Sequence, residues 1–528
     1  MMKRLKLILL VVATIVVLPL SAAEITSMRV VRDMAQKSGT LVVEQELCIE
    51  GFIISKANGC NNEMNEQVYH TTLKNHDLTT GYIESVTGDV GLRINYATRK
   101  VGATLPRYAK VVLSLKGTTL VCEESCRVTI KGLSEANVLS LTRCSADELP
   151  RKEKYISELT DDDYYTYVSL KDCEILFRDG SFVNVYERYV QRTRFNKEAN
   201  PNKSMDCWAT LVCDSRGSSI YSLTNTLCPW RRDGNGVPQG AGTMRGIVVR
   251  ATHLRYGGDV FGRYALRPVD KADYAMSWSS EDALYRPIAE WNWSDNSQYF
   301  ATEDGDKKTI SEEAVLADIG KGKLRVEVEG RVVRFKDTNN PHIYSPKDGK
   351  MNGHYGFVNY GSLCVRTKAH NWWDWGLDCG KGIEIEFSTK GVKGKSLIFG
   401  FSFAAGAISA NTSYGFPVYW NVEYSTDRKV WHAVEGSQPK KLRTLPWFWF
   451  NDVNGANYES ISAGAGFTEH VVSLPKSLFG QKRVYVRVVP VAKNMATLGY
   501  DYSENGTLRY NSMTESVVNF GSFVVRYN

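Results

Sequence analysis

The sequence predicts a mainly β protein built of several small barrels or sandwiches in series. Short segments that alternate apolar and polar residues recur along the whole chain, and turn residues separate them. Glycine and tyrosine are frequent, with 43 and 28 residues, and long amphipathic heptads are absent. The 528 residues exceed what one hydrophobic core serves, so we expect roughly two to four domains.

The amino terminus has the pattern of a secretory signal peptide over residues 1–23. Three basic residues precede an apolar run over residues 7–20, and the small residues Ser21 and Ala23 stand before the expected cleavage site. The run is too short for a typical spanning helix, and an uncleaved anchor is the alternative. We therefore expect an exported chain in the periplasm, at the cell surface or outside the cell, with no transmembrane segment after cleavage.

The charge of the mature chain is nearly balanced. Removal of residues 1–23 takes away three basic and no acidic residues, which leaves 62 basic against 58 acidic residues, a net charge of +4. Proteins whose nucleic-acid affinity depends on phosphate contacts usually carry a stronger basic stripe. Nucleic acid is therefore the less expected partner.

The chain has eleven cysteines, and in an exported protein disulfides are their default state. An odd number leaves at least one thiol free or bonded to a partner molecule. Zinc is the alternative, but the sequence has no CxxC pair and no histidine at ligand spacing from two cysteines. The disulfide candidates are the close pairs Cys122/Cys126, Cys207/Cys213 and Cys364/Cys379.

The first half of the chain predicts two successive β modules, over residues 24–150 and 151–275. Each module contains several short strands at regular spacing, which is typical of a small barrel or sandwich. An acidic run at Asp161–Asp163 is interpreted as a solvated linker between them. The predicted strands cover residues 46–55, 90–96, 110–117, 167–177, 208–214 and 219–223, and a closing hairpin covers residues 240–274.

Several of these segments carry a family resemblance, namely residues 49–55, Gly91, 116–117, Val168, Asp214, 217–219, 240–247 and 267–270. They resemble a domain of secreted Bacteroidota proteins, domain of unknown function 5689. The resemblance implies tandem barrels similar to the OB-fold, with a molecular function that is not established. OB-fold barrels often bind oligonucleotides or oligosaccharides on one face, although a fold alone does not define a function.

The second half predicts an antiparallel β-sandwich over residues 276–528, because its strands each have one apolar and one polar face. The predicted strands include residues 324–335, 382–388, 418–425, 430–434, 484–489 and 522–527. Residues 385–391, 422–427, 472–475, 484–487 and 519–523 are similar to galactose-binding-like jelly rolls. This resemblance implies a jelly-roll sandwich and assigns no sugar-binding residue in this chain.

Two aromatic clusters fall between predicted strands of the sandwich, where loops lie. Exposed tryptophan rings form stacking platforms for sugar rings or bases, and loops on a rigid scaffold often carry binding residues. The alternative is packing into the core, because neighbouring residues of a strand point to opposite faces. The ligand-binding candidates are Trp372, Trp373, Trp375, Trp447 and Trp449.

A disulfide between Cys364 and Cys379 would hold the first aromatic cluster in one conformation. It would close a loop of about 16 residues, and in the chain-entropy model such a cross-link stabilises a fold by about 3 kcal/mol. The ordered loop would lower the entropic cost of binding a stacked ligand. The alternative is a pair of buried core thiols.

No motif of a known catalytic type is present. None of the eight histidines lies in an HExxH or HxH pattern, and no GxSxG marks a nucleophilic serine. Asp304 and Asp306 lie in an acidic loop that suits calcium, a cation that prefers several oxygen ligands, although the EF-hand spacing is not met. Structural calcium is the one cofactor candidate, and otherwise we expect none.

Together these features favour an exported, non-catalytic binding protein for a glycan or a cell-surface partner. One alternative is an accessory to extracellular nucleic-acid processing, which the OB-like barrels and the basic, aromatic residues 186–195 suggest. The near-neutral charge argues against it. Another alternative is an enzyme whose catalytic residues are dispersed along the chain.

Overall fold

The structure is a computed structural model. The longer ranges that it describes are residues 24–57, 78–124, 126–178, 210–224, 235–250, 262–292, 314–328, 382–405, 420–437, 468–490 and 515–528. The shorter described pieces are residues 59, 63, 67–69, 182, 203–205, 228, 230, 331–332, 342–344, 362–367, 414–417, 449–451, 458–460, 495–497 and 500–501. Strands dominate these residues, so the chain is mainly β, as the sequence predicts.

The first unit is a small barrel preceded by an amphipathic helix. Helix α1 spans Met28–Ser38, begins at the N-cap residue Ser27, and packs Val31 and Ala35 into the core of the barrel. The strands are β1 (Thr40–Val42), β2 (Cys48–Ile53), β3 (Gln67–Tyr69), β4 (Thr80–Ser85), β5 (Gly91–Tyr96), β6 (Ala109–Ser114), β7 (Thr119–Glu123), β8 (Arg127–Leu133) and β9 (Val138–Arg143), and helix α2 (Arg99–Thr104) connects β5 to β6.

The strand pairings of this unit follow the pattern of an OB-fold. Strands β2, β4 and β5 form an antiparallel meander, β5 pairs in parallel with β8, and β6 pairs antiparallel with β2. A single 3-10 turn at Glu135–Asn137 leads from β8 into β9, which pairs with β6 at one end of the strand order. The core contains Ile49, Ile83, Leu92 and Val111, all fully buried.

The second unit has the same pattern, and here the sheet closes on itself. The order β11-β13-β14-β16-β15 returns to β11, which is the closed five-strand order of an OB-fold and confirms the predicted fold class. A bulge between Leu170 and Cys173, where Asp172 has φ 50°, bends β11 so that it pairs with both neighbours. The strands are β10 (Lys152–Lys154), β11 (Tyr167–Ile175), β12 (Lys203–Met205), β13 (Thr210–Asp214), β14 (Ser219–Ser222), β15 (Gly242–Val249), β16 (Ala265–Arg267) and β17 (Tyr274–Met276).

The third unit is a sandwich of two large sheets. Its strands are β18 (Arg286–Trp291), β19 (Val315–Leu316), β20 (Ile319–Gly320), β21 (Gly322–Val328), β22 (Arg331–Val332), β23 (His342–Tyr344), β24 (Ser362–Thr367), β25 (Ile383–Phe387), β26 (Leu397–Ala405), β27 (Tyr414–Pro417), β28 (Trp420–Ser425), β29 (His432–Ala433), β30 (Trp449–Asn451), β31 (Tyr458–Ser460), β32 (Thr468–Leu474), β33 (Val484–Pro490), β34 (Met495–Thr497), β35 (Tyr500–Asp501) and β36 (Glu515–Tyr527).

The long strand β36 organises one sheet of the sandwich, where it pairs with β18, β24 and β26. The other sheet runs β19-β21-β25-β33-β28-β29 with antiparallel pairing throughout. Phe399, Phe401 and Phe523 stack from the first sheet, while Ile385 and Trp420 enter the same core from the second. Burial of each such apolar side chain contributes about 2 kcal/mol. The predicted antiparallel sandwich is confirmed.

The two barrels dock through a polar network. Arg107 Nη1 lies 2.7 Å from Asp270 Oδ2, and its Nη2 lies 3.3 Å from Asp273 Oδ1. Lys56 also pairs with Asp270 at 2.7 Å, and the hydroxyl of Tyr167 donates to Asp273 at 2.6 Å. Removal of one partner of a buried ion pair leaves an uncompensated charge, so this network holds the barrels in one orientation.

The second barrel docks onto the sandwich through Arg526, near the end of β36. The Nε of Arg526 lies 2.5 Å from Glu290 Oε1, its Nη1 donates to the carbonyl of Leu176 at 3.0 Å, and Glu174 lies 3.6 Å away. Gly400 also touches Leu176, and a Cβ there would overlap its side chain. The predicted boundaries at residues 150 and 275 stay predictions.

Candidate functional site

A cleft of about 490 Å³ lies between the second barrel and the sandwich. Strands β13 and β14 and the residues just before β16 form one wall. Strand β32 and the turn at Glu435 and Gly436 form the other. Ile156 and Leu159, which precede β11, add apolar surface. The cleft is therefore built from segments that lie far apart in the sequence.

The barrel wall is the part of an OB-fold that commonly binds ligands. Counted along the chain, β13 and β14 are the second and third of the five barrel strands, and residues 250–264 connect the fourth, β15, to the fifth, β16. Leu211 and Tyr221 come from the two strands, while Arg263 and Tyr264 come from the end of the connection. Barrel closure thus brings an aromatic and a cationic side chain to this face.

Asp161 orients the two polar side chains at the end of this connection. Its Oδ1 accepts hydrogen bonds from Arg263 Nε at 2.7 Å and from the hydroxyl of Tyr264 at 2.8 Å. The ring of Tyr164 contacts that of Tyr264 at 5.3 Å between centroids. Burial, together with the hydrogen bond to Asp161, raises the pKa of Tyr264, so the phenol stays protonated. The Tyr264 ring is therefore presented to the cleft in a fixed orientation.

The acidic run at Asp161–Asp163 is not the solvated linker that the sequence predicts. Asp163 is buried, with 1% of its side chain exposed, and pairs with Lys154 at 2.6 Å. Asp162 pairs with Arg32 of helix α1 at 2.7 Å. The local sequence of a short acidic run does not distinguish a solvated linker from a turn. In the folded chain the carboxylates of such a turn form ion pairs with residues from other segments.

Strand β32 is fixed against the barrel at both ends of the cleft. At one end, Glu469 Oε2 accepts a hydrogen bond from the backbone N–H of Leu211 at 3.2 Å, and the hydroxyl of Tyr221 donates to the carbonyl of Glu469. At the other end, Ser473 Oγ donates to the carbonyl of Gly217 at 2.8 Å. These contacts set the width of the cleft without filling it.

His470 faces the cleft from β32 but is held by aromatic neighbours. Its ring lies 5.6 Å and 5.3 Å from those of Phe401 and Phe403, and its Nδ1 lies 3.4 Å from the hydroxyl of Tyr221. Only 4% of the residue is exposed. The His470 ring is therefore held in place by Tyr221 and the two phenylalanines.

The lining combines apolar and polar surface. Ile156 and Leu159 are buried apolar residues, while Ser219, Arg263 and Glu435 are exposed at the rim. Such a mixture is typical of sites that bury one face of a ligand and fix its orientation with a few polar groups. No group of three or more His, Cys, Asp or Glu side chains that could hold a metal ion occurs among the described residues.

Most of the site residues predicted from the sequence lie outside the described part of the chain. The backbone of Trp449 lies in β30, paired with β31, and its side chain is outside that part. The tryptophan stacking platforms and the calcium-binding loop therefore stay predictions. The same holds for a role of residues 186–195 in nucleic-acid binding. The other predicted residues outside the described part are Trp372, Trp373, Trp375, Trp447, Asp304 and Asp306.

The predicted Cys122–Cys126 disulfide is wrong, because both thiols are free. In the β7–β8 hairpin Cys122 lies opposite Val128, and the last paired positions are Glu123 and Arg127. Cys126 belongs to the connecting turn, where its φ is 65°. Close spacing in the sequence therefore does not place the two sulfurs across the hairpin from each other.

The predicted Cys207–Cys213 disulfide is also wrong. Cys213 is a free thiol in the core of the second barrel, 3.8 Å from the hydroxyl of Tyr285, and Cys207 lies outside the described residues. Burial raises the pKa of Cys213, which keeps the thiol protonated and unreactive. Cys364 lies on β24 and Cys379 lies outside the described residues, so that bridge stays a prediction.

Sequence reasoning did not identify the residues of the cleft. It predicts a strand at Arg263 and Tyr264 and assigns them no binding role. The signal that would have found them is the strand order, since the residues before the fifth strand of an OB-fold border its binding face. That order depends on pairings between distant segments.

Comparisons with known proteins leave the family open. No protein-family model and no curated protein matches the chain. The chain is similar to a crystal structure of the tandem CBM51 modules of a family 98 glycoside hydrolase from Streptococcus pneumoniae SP3-BS71, with 10% identity and a TM-score of 0.15. The match covers 39% of this chain and 36% of that one. So low a score supports no inference about function.

The described part of the chain contains no helix that is long and apolar enough to cross a membrane.

Proposed function

We propose that this protein is an exported, non-catalytic binding protein whose cleft holds a glycan chain. The observation that carries the proposal is the position of the cleft. It borders the face of an OB-fold barrel that commonly binds ligands, and Tyr264 is presented there by its hydrogen bond to Asp161. The signal peptide predicted at residues 1–23 supports the exported location.

The chemistry of the lining suits a sugar. A pyranose ring has an apolar face that packs on an aromatic side chain, while its hydroxyl groups need polar partners at the edge. The ring of Tyr264 and the side chains of Ile156 and Leu159 supply apolar surface, and Arg263 and Ser219 supply polar groups. Because Tyr164 and Asp161 already fix the orientation of Tyr264, this side chain loses little further conformational entropy when a ligand binds.

A nucleic acid fits the same cleft less well. Phosphate groups require uncompensated positive charge, whereas Arg263 pairs with Asp161 and the rim also carries Glu435. The net charge of the mature chain is close to zero as well. The local and the global charge therefore both favour a neutral ligand.

The test is a glycan-array screen of the mature chain, followed by affinity measurements with a glycan that binds. We expect Tyr264→Ala to weaken binding by about tenfold or more, as for the loss of a stacked ring. Trp278→Ala is the matched control, because Trp278 is an aromatic residue with 50% exposure that does not line the cleft. No binding on the array, or equal effects of the two variants, contradicts the proposal.

A further inference from the structure

A second depression, separate from the cleft, lies on the sandwich and has a volume of about 400 Å³. Its lining comes from the turn between β19 and β21 and from the adjoining ends of β25 and β33. Four of its side chains are basic, namely Lys321, Lys323, Lys482 and Arg483. We call this depression the basic groove.

The basic groove holds positive charge that no described neighbour neutralises. None of its four basic side chains forms an ion pair with a described residue. Its one acidic lining residue, Glu386, already accepts Arg325 Nη2 at 2.9 Å. Elsewhere on the same sheet the arginines whose side chains are described are paired, as in Arg428 with Glu384 at 3.0 Å. The unpaired cations are therefore concentrated at one end of the sheet.

Two loops beside the groove add further lysines. Thr389 links the two loops to each other. Its hydroxyl donates to the carbonyl of Leu478 and accepts from the backbone N–H of Gln481 at 3.0 Å. Residues 388–396 and 475–483 contain several basic residues and no acidic one. Like charges gathered at one place repel each other, so a bound anion stabilises such an arrangement.

We propose that the basic groove is a binding site for an acidic polysaccharide, one that carries carboxylate or sulfate groups. Lysine ammonium groups act as point charges for such anions, and the exposed Leu316 offers apolar surface to a sugar ring. A site for single-stranded nucleic acid combines a basic groove with exposed aromatic rings, whereas Phe387, the aromatic residue of this lining, is only 3% exposed. The proposal does not depend on the glycan cleft.

The experiment is native electrophoresis of the mature chain in gels that contain polygalacturonate, with an uncharged polysaccharide gel as reference. We expect the wild-type chain to be retarded by polygalacturonate and the retardation to fade as salt rises, because screening weakens exposed ion pairs. Lys321→Glu/Lys482→Glu should weaken binding by about tenfold or more. Lys37→Glu/Lys131→Glu, two exposed lysines of the first barrel with the same change in net charge, should stay within about twofold of wild type.

Three outcomes overturn the proposal: no retardation of the wild type, equal loss in both double variants, or stronger binding to a single-stranded oligonucleotide or to anionic phospholipid vesicles. Thermal unfolding of each variant shows whether the sandwich remains folded, and Lys323→Gln/Lys482→Gln is a milder second variant. Tyr264→Ala, which alters the cleft, should bind polygalacturonate like the wild type. Failure of the cleft proposal and failure of this one are thereby distinguishable.

Discussion

The two barrels share one strand order but use the equivalent face differently. In the first barrel the second and third strands are β4 and β5, and the second barrel covers them. The rings of Tyr82 and Tyr165 lie 5.4 Å apart, and Glu84 Oε2 accepts the backbone N–H of Tyr167 at 2.9 Å. A Cβ at Gly91 would overlap the carbonyl of Tyr165. In the second barrel the same face borders the open cleft.

This difference shows that a barrel face acquires its role from the element that is placed against it. The covered face contains a buried carboxylate, Glu84, one of whose oxygens has no hydrogen-bond partner within the described part of the chain. The open face keeps its polar groups at an exposed rim. Substitutions on the first face should therefore change stability, and those on the second should change binding.

The largest expected effect is at Glu84. Burial raises the pKa of its carboxyl from 4.5 to about 8. Because the folded-state pKa lies above that of the unfolded chain, the stability that its protonated form contributes is complete below about pH 4.5 and is lost as the pH rises through about 8. We expect Glu84→Gln to raise the free energy of unfolding relative to wild type by up to about 5 kcal/mol near pH 9, with little difference near pH 4.

Urea unfolding across this pH range measures the effect of Glu84→Gln. The control is Glu435→Gln, which alters an exposed carboxylate at the rim of the cleft. The pH-dependent difference from the wild type should be larger for Glu84→Gln, because Glu84 is buried and Glu435 is exposed. If the two variants show the same pH dependence, burial between the barrels does not distinguish Glu84 from a carboxylate at the rim of the open face.

The next-largest effect is expected at Tyr165, which covers the face of the first barrel, and is compared with Tyr264 on the open face. Tyr165 is fully buried between the barrels, and Tyr165→Ala should lower the free energy of unfolding by about 4 kcal/mol. Tyr264 is only half-buried, so Tyr264→Ala should cost about 1 kcal/mol. Urea unfolding of both variants at neutral pH checks the order. A larger loss for Tyr264→Ala would contradict the assignment of the open face to binding.

A smaller effect is expected at the hydroxyl group of Tyr264. Tyr264→Phe keeps the ring in the cleft and removes its hydrogen bond to Asp161. Loss of this orientation should weaken glycan binding by about fivefold and change the free energy of unfolding by less than about 1 kcal/mol. Isothermal titration calorimetry measures the affinity. Unchanged affinity would show that Asp161 does not orient the ring.

The smallest effect concerns the β7–β8 hairpin, which in the first barrel occupies the connection equivalent to residues 250–264 of the second. Because Cys122 is free and only partly buried, Cys122→Ser should change the free energy of unfolding by less than about 1 kcal/mol, with or without reductant. The matched variant Cys364→Ser tests the remaining predicted bridge. If that bridge forms, its removal should cost about 3 kcal/mol in the absence of reductant.

The sequence by itself determined the β class, because side-chain alternation is a local property of each strand. Residues 382–388 illustrate this. Their alternation places Ile383 and Ile385 in the core of the sandwich and directs Glu384 and Glu386 to the opposite face, where both pair with Arg325. Burial of every second side chain needs no information from distant parts of the chain.

Only the tertiary structure decided which side chains meet. The cleft joins Leu159, Tyr221, Tyr264 and Val472, which come from four separate segments. Their convergence requires closure of a barrel through non-local strand pairs and its docking against the sandwich. The failed disulfides have the same cause, since spacing along the chain does not fix register or the direction in which a side chain points. Alternation is periodic and local, whereas contact between faces depends on the order in which strands pair.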